Sequence, residues 1–180
     1  MTPPMQTHAP TTWTELRRDV GSANDGDAFW SRLFGTPCEL GGRSVHLAIF
    51  VEPFLSYVLD GKKTVESRFS AVRCAPYRRV SVGDVLVLKA SGGPVRGLAL
   101  VDHVWSYELD PETWSEVKAF EDALCATDPS FWASREAASY ATLMRLSNVR
   151  PISGVLFKKR DRRGWVVVKA KDELPLAAGA

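Results

Sequence analysis

Gly61-Lys62-Lys63-Thr64-Val65-Glu66-Ser67-Arg68 is the stretch that decides how this chain is read. Upstream of it, residues 45–51 are apolar apart from His46, which predicts a central strand. Phe54, Leu55, Val58 and Leu59 then recur at helical spacing behind Pro53. Gly61 stands just past their end, where a helix C-terminus favours a left-handed residue. Residues 64–69 read as a second strand. Its period of two puts Thr64, Glu66 and Arg68 on one face and Val65, Ser67 and Phe69 on the other.

Working outward, residues 70–81 form a loop carrying Arg73, Pro76, Tyr77, Arg78 and Arg79. Gly83-Asp84 turns into a strand at 85–89, and Ser91-Gly92-Gly93-Pro94 turns back into a strand at 95–105. Asp110-Pro111-Glu112 opens a helix running to about Cys125, and a short helix is expected at 133–138. Part of 141–152 reads as a strand. The segments 155–157 and 165–168 flank Asp161-Arg162-Arg163-Gly164 and predict a hairpin. On the N-terminal side, residues 1–12 hold three prolines and no periodicity, and are expected to be disordered. Residues 13–44 contain two short helical patterns, the second bearing Phe29, Trp30, Leu33 and Phe34. So small an aromatic unit needs a surface to dock on, and we expect it to pack on a main domain at 45–170, with 171–180 as a tail. The fold class expected is α+β: a small mixed β-barrel of about six strands with flanking helices and an N-terminal helical extension.

Bulk properties narrow the function. The net charge of +2 argues for no polyanion partner by itself, but its distribution is uneven. Lys62, Lys63, Arg68, Arg73, Arg78 and Arg79 outnumber Asp60 and Glu66, whereas residues 106–128 are acidic and 145–171 strongly basic. Three widely spaced cysteines without a CxxC pair support neither a disulfide framework nor a zinc site, so no metal and no cofactor is expected. A reducing, cytoplasmic location fits them. No signal peptide or membrane span is visible. His46 and His103, in strand-like runs without ligand-spaced partners, read as core histidines.

The residues Gly61-x-Lys63-x-x-Glu66-x-Arg68, after a strand and a short helix and before the Gly83-Asp84 turn, resemble the signature of the ASCH domain, a member of the PUA-like superfamily. The resemblance covers roughly residues 45–170. It implies a β-barrel with a cleft beside the motif, a role in RNA binding, and kinship to small hydrolases of acetylated cytidine. Those hydrolases are similar at Lys63 and also use a later glutamate, for which Glu121 is the candidate. They carry threonine where this chain has Glu66, which ranks an amidohydrolase second.

The chemistry of the residues points the same way. Lys63 and Arg68 suit a phosphate or a polarised carbonyl. Glu66 suits a base amino group, or general-base work if desolvated. Arg73, Tyr77, Arg78 and Arg79 combine charge with an aromatic ring, as single-strand binders do. A purely architectural role, with Glu66 and Arg68 pairing to close the barrel, is the competing reading. The leading expectation is therefore a binding module for RNA or a nucleotide. An amidohydrolase using Lys63 and Glu66 comes second, and an adaptor presenting the acidic helix comes third.

Overall fold

The computed structural model describes residues 12–24, 26–35, 40–158 and 162–171. The expectations for residues 1–11 and 172–180 lie outside these, as does the tip of the expected hairpin, 159–161. Helices α1 (Trp13–Ala23) and α2 (Ala28–Gly35) come first, then β1 (Val45–Phe50), α3 (Phe54–Leu59) and β2 (Val65–Ser70). β3 (Val85–Ala90) and β4 (Val95–Glu108) follow, then α4 (Pro111–Lys118), α5 (Glu121–Leu124), α6 (Pro129–Ala133), β5 (Tyr140–Val155) and β6 (Trp165–Lys169). Among the described residues the strands form one sheet in the order β2-β5-β4-β3-β1-β6. β1 and β3 are parallel, and the other neighbours are antiparallel. The sheet curls into a half-barrel whose free edges are β2 and β6. None of the described helices is long and apolar enough to cross a membrane.

The run of β1, apolar but for His46, is explained by burial on both sides. Val45 and Leu47 face outward, onto Leu16 and Val20 of α1 and Trp30, Leu33 and Phe34 of α2. Thr12 and Glu15 cap α1 reciprocally, so its first-turn amides do not need tertiary partners. Ala48 and Phe50 face inward, with Leu86, Leu88, Met144 and Trp165 and with Leu55 and Val58 of α3. A third cluster covers the outer face of β2 and β5: Val65, Ala141 and Leu143 pack under Val117, Leu124 and Phe131 of α4, α5 and α6. Each fully buried side chain of this kind contributes about 1.5–3 kcal/mol. Gly97 lets α3 approach the sheet, since a Cβ there would sit 2.6 Å from Leu59.

Inside the barrel, His46 and Asp84 form a closed polar network. His46 Nε2–H donates to Asp84 Oδ2 at 3.0 Å, and Trp165 Nε1–H donates to His46 Nδ1 at 3.1 Å. The ring is thus the Nε2-protonated tautomer. Asp84 also accepts the Ser44 amide at 3.0 Å and the Ser81 amide at 2.8 Å. This network is what the Gly83-Asp84 turn supplies: it ties β3 to β1.

Four expectations are corrected. The residues at 165–168 do not form a hairpin with 155–157; β6 pairs antiparallel with β1 instead. The turn residues mark a chain reversal, and the choice of strand partner is tertiary. The expected helix at 111–125 is two helices, because Phe120 turns inward onto Trp105, ring centroids 4.7 Å apart. The helix expected at 133–138 instead spans Pro129–Ala133, started by Asp128 accepting the Ser130 amide. His103 is exposed, not core: a register shift between Val101 and His103 turns it out of the sheet. His46 is fully buried.

Candidate functional site

The motif folds as three successive devices. Gly61 takes a positive φ of 75° and returns its amide to Val58 O at 3.1 Å, closing α3. The Lys63 amide then bonds Tyr57 O and the Thr64 amide bonds Ala123 O, pinning the turn between α3 and α5. This anchoring aims Lys63 inward, and the residue is only 3% exposed. Its Nζ donates to Leu124 O at 3.0 Å, an orphan carbonyl at the end of α5. It lies 5.5 Å from the Phe54 ring centre and 3.4 Å from Glu66 Oε2. Burial pushes the Lys63 ammonium below its ordinary pKa, and the Glu66 carboxylate opposes that push.

Arg68 works at the seam of the half-barrel. Its Nη1 donates to Gly164 O at 3.1 Å and its Nη2 to Ile49 O at 2.8 Å. One guanidinium thereby links edge strand β2 to β1 and to the residue before β6, where no backbone ladder exists. Its planar group faces the rings of Phe50 and Trp165, 5.0 and 5.3 Å from their centres. Arg68 Nε sits 2.8 Å from Glu66 Oε1, yet it lacks an aligned hydrogen-bond acceptor. The Glu66–Arg68 contact is therefore a charge pair, and its hydrogen-bonding capacity is not used up.

Arg135, two residues past the end of α6, completes the cluster. Its Nη1 donates to Phe131 O at 2.6 Å and to Ser134 Oγ at 2.9 Å, and its guanidinium lies 3.6 Å from the centre of the Phe131 ring. Burial lowers its pKa, the Glu66 charge raises it and the Arg68 charge lowers it further. It nevertheless stays cationic.

Lys63, Glu66, Arg68 and Arg135 line one cavity of about 370 Å³, whose apolar walls include Phe54, Phe69 and Phe131. Glu66 is the one carboxylate among its described lining residues, where three cations face it. Such a chamber can hold a planar polar ring against the phenyl groups, with Glu66 as acceptor and the cations for a carbonyl or phosphate. No cluster of three or more metal-ligating side chains occurs among the described residues.

The other expected site residues fall elsewhere. Arg73 pairs with Glu108 at 2.7 Å, and Arg78 lies over the Tyr77 ring. Tyr77 is buried, its ring 4.9 Å from that of Tyr140. Arg73, Tyr77, Arg78 and Arg79 line a separate open groove of about 830 Å³. Glu121 is exposed in the first turn of α5 and is not among the residues lining the Lys63 cavity. Arg135 escaped the sequence reading because it belongs to no motif. The signal that could have found it is its place four residues after Phe131, the spacing at which a helical side chain reaches back over a ring.

No protein-family model matches this chain, and no curated protein does. Solved structures do. The crystal structure of ASCH from Zymomonas mobilis has a TM-score of 0.50 at 19% identity, covering 62% of this chain and 73% of that one. A tyrosine-to-phenylalanine variant of the same protein gives 0.51 at 18% identity, covering 63% and 76%. A serine-to-alanine variant gives 0.51 at 16% identity, covering 64% and 76%. These likenesses match the mixed half-barrel and its flanking helices, and the chain has an ASCH-like fold.

Proposed function

We propose that this chain is a binding module for single-stranded nucleic acid or a nucleotide, holding a base in the Lys63–Glu66–Arg68–Arg135 cavity. The observation that carries this reading is the convergence of three cations and one carboxylate on phenyl-walled space of about 370 Å³. Glu66 accepts from a base amino group, Lys63 or Arg135 meets a ring carbonyl or phosphate, and Phe54, Phe69 and Phe131 cover the ring faces. An ion pair that only closed the barrel would need neither Arg135 nor the open space. RNA is the favoured polymer, since the ASCH resemblance implies it, and the basic loops outside supply phosphate contacts.

The test is RNA binding by the full chain over a salt series, with Glu66→Gln beside the wild type. Binding is expected to weaken steeply with salt and to fall about tenfold in Glu66→Gln, as loss of a charge-assisted bond predicts. A response flat in salt, with equal affinities, would overturn the reading.

A second reading is an amidohydrolase acting on an acetylated cytidine. It is favoured by the buried Lys63, whose pKa is lowered and whose Nζ lies 3.4 Å from Glu66. Its test is hydrolysis of acetylated cytidine by wild type and Lys63→Ala. Turnover confined to the wild type supports it, and equal or absent turnover ends it.

A further inference from the structure

Beyond Arg68 lies a second chamber, and it differs in character from the first. It measures about 310 Å³ and is lined by Phe69, Tyr77, Tyr140, Thr142, Arg163 and Trp165, among others. Arg68 and Phe69 line both chambers, so they form the partition between them. The pairing register explains why the space exists. Arg68 lies opposite Thr142, and Ser70 opposite Tyr140. Arg68, Thr142 and Tyr140 therefore project to the same inner face of the half-barrel, at its open end.

Four observations fit this space to a flat heteroaromatic ring. The Tyr77 and Tyr140 rings lie 4.9 Å apart. The indole N–H of Trp165 is already spent on His46 and Arg68 lies over its ring, so Trp165 contributes an apolar edge and no donor. Thr142 is 1% exposed, and it lines the chamber with a hydroxyl-bearing side chain. Among the described residues no carboxylate lines the chamber, while Arg68 and Arg163 stand at its edge. Those two arginines also border an open groove of about 960 Å³ lined by Lys89, Lys158 and Arg162, with no acidic residue among its described lining residues. Aromatic walls inside, a threonine hydroxyl for a ring edge and guanidinium groups outside match consecutive nucleotides, with bases inserted and phosphates on the arginines.

We infer that the chamber of Tyr77, Tyr140, Thr142 and Trp165 is a second base subsite, so the ligand is a single-stranded polynucleotide spanning Arg68 and not a free nucleoside. This rests on reading the Lys63 cavity as the first base site. One base stands in each chamber, and the linking phosphate crosses the partition at Arg68 and Arg163.

The test titrates the full chain with the four nucleoside monophosphates and the four matching homodinucleotides at one salt concentration. The best dinucleotide is expected to bind about tenfold more tightly than its monophosphate, from the added stacked base. Cys74→Trp, an exposed position on the rim of the chamber, is expected to bring that ratio close to one, and Thr142→Val to reduce it. Alkylation of the Cys74 thiol supplies a readout independent of affinity: dinucleotide should protect it, and monophosphate should not. Equal affinity for dinucleotide and monophosphate in the wild type overturns the second subsite and leaves the first standing. A ratio unchanged in Cys74→Trp, or no protection of Cys74, also overturns it. Failure of every nucleotide and of longer single-stranded RNA to bind sinks both.

Discussion

Two buried polar clusters meet at Trp165, one on its indole N–H and one on its ring face. The His46 side is saturated: Asp84 accepts from His46 and from the Ser44 and Ser81 amides, and both His46 nitrogens are bonded. The Arg68 side is not. Glu66 holds Lys63 and Arg68 by charge, Arg68 Nε lacks an aligned acceptor, and the group opens on a cavity. Leaving a buried polar group unsatisfied costs about 1–3 kcal/mol. A network whose only task is architecture closes its bonds, as His46 and Asp84 do. Spare capacity beside open space is what the proposed base site requires.

That contrast can be broken first at its saturated end. Asp84→Ala strips the acceptor from three donors, two of them buried, and should cost about 3 kcal/mol or more in urea unfolding. A loss below about 1 kcal/mol would show that the network is not what joins β1 to β3. Arg68→Met removes the donors to Gly164 and Ile49 across the seam and should cost about 2 kcal/mol. It should also weaken RNA binding, which Asp84→Ala should affect only through folding. Full stability with lost binding would remove Arg68 from the architecture and leave it in the site alone.

The buried ammonium gives a subtler prediction. The Lys63 pKa is lowered from 10.5 in the folded protein, so the unfolded chain holds this proton more tightly. Below the folded value the buried charge costs stability in full. The cost is relieved as pH rises through the folded value towards 10.5. The wild type should therefore gain stability relative to Lys63→Met as pH rises from neutral into that window. A difference that is constant with pH, or opposite in sign, would show that desolvation does not govern Lys63. Smallest of all, Arg73→Ala breaks an exposed pair with Glu108 and should leave the unfolding midpoint unchanged within error. A clear shift would make the Arg73 loop part of the scaffold.

The sequence carried the local structure well, because its signals were local. Gly61 had to end α3, the alternation of 64–69 had to place Glu66 with Arg68, and the apolar run of 45–50 had to lie between two covered faces. What it did not carry was long-range. The partner of β6 depends on which edge of the half-barrel stands open, and no turn residue encodes that. His103 left the core through a register shift within β4. Arg135 joins the Lys63 cavity only because α6 packs Phe131 against Phe54 and Phe69, ring centroids 5.8 and 6.3 Å apart. Glu66 and Arg68 were legible as a pair from their spacing and Lys63 through the motif, whereas the loop residues Arg73, Arg78 and Arg79 were close in sequence but open onto a different groove.

The most direct measurement is a crystal of the full chain soaked with nucleotides to saturation. The account predicts a base lying against Phe54, Phe69 and Phe131, with polar ring atoms within about 3 Å of Glu66 and Lys63. A nucleotide bound elsewhere on the surface, with the Lys63 cavity empty, would contradict it.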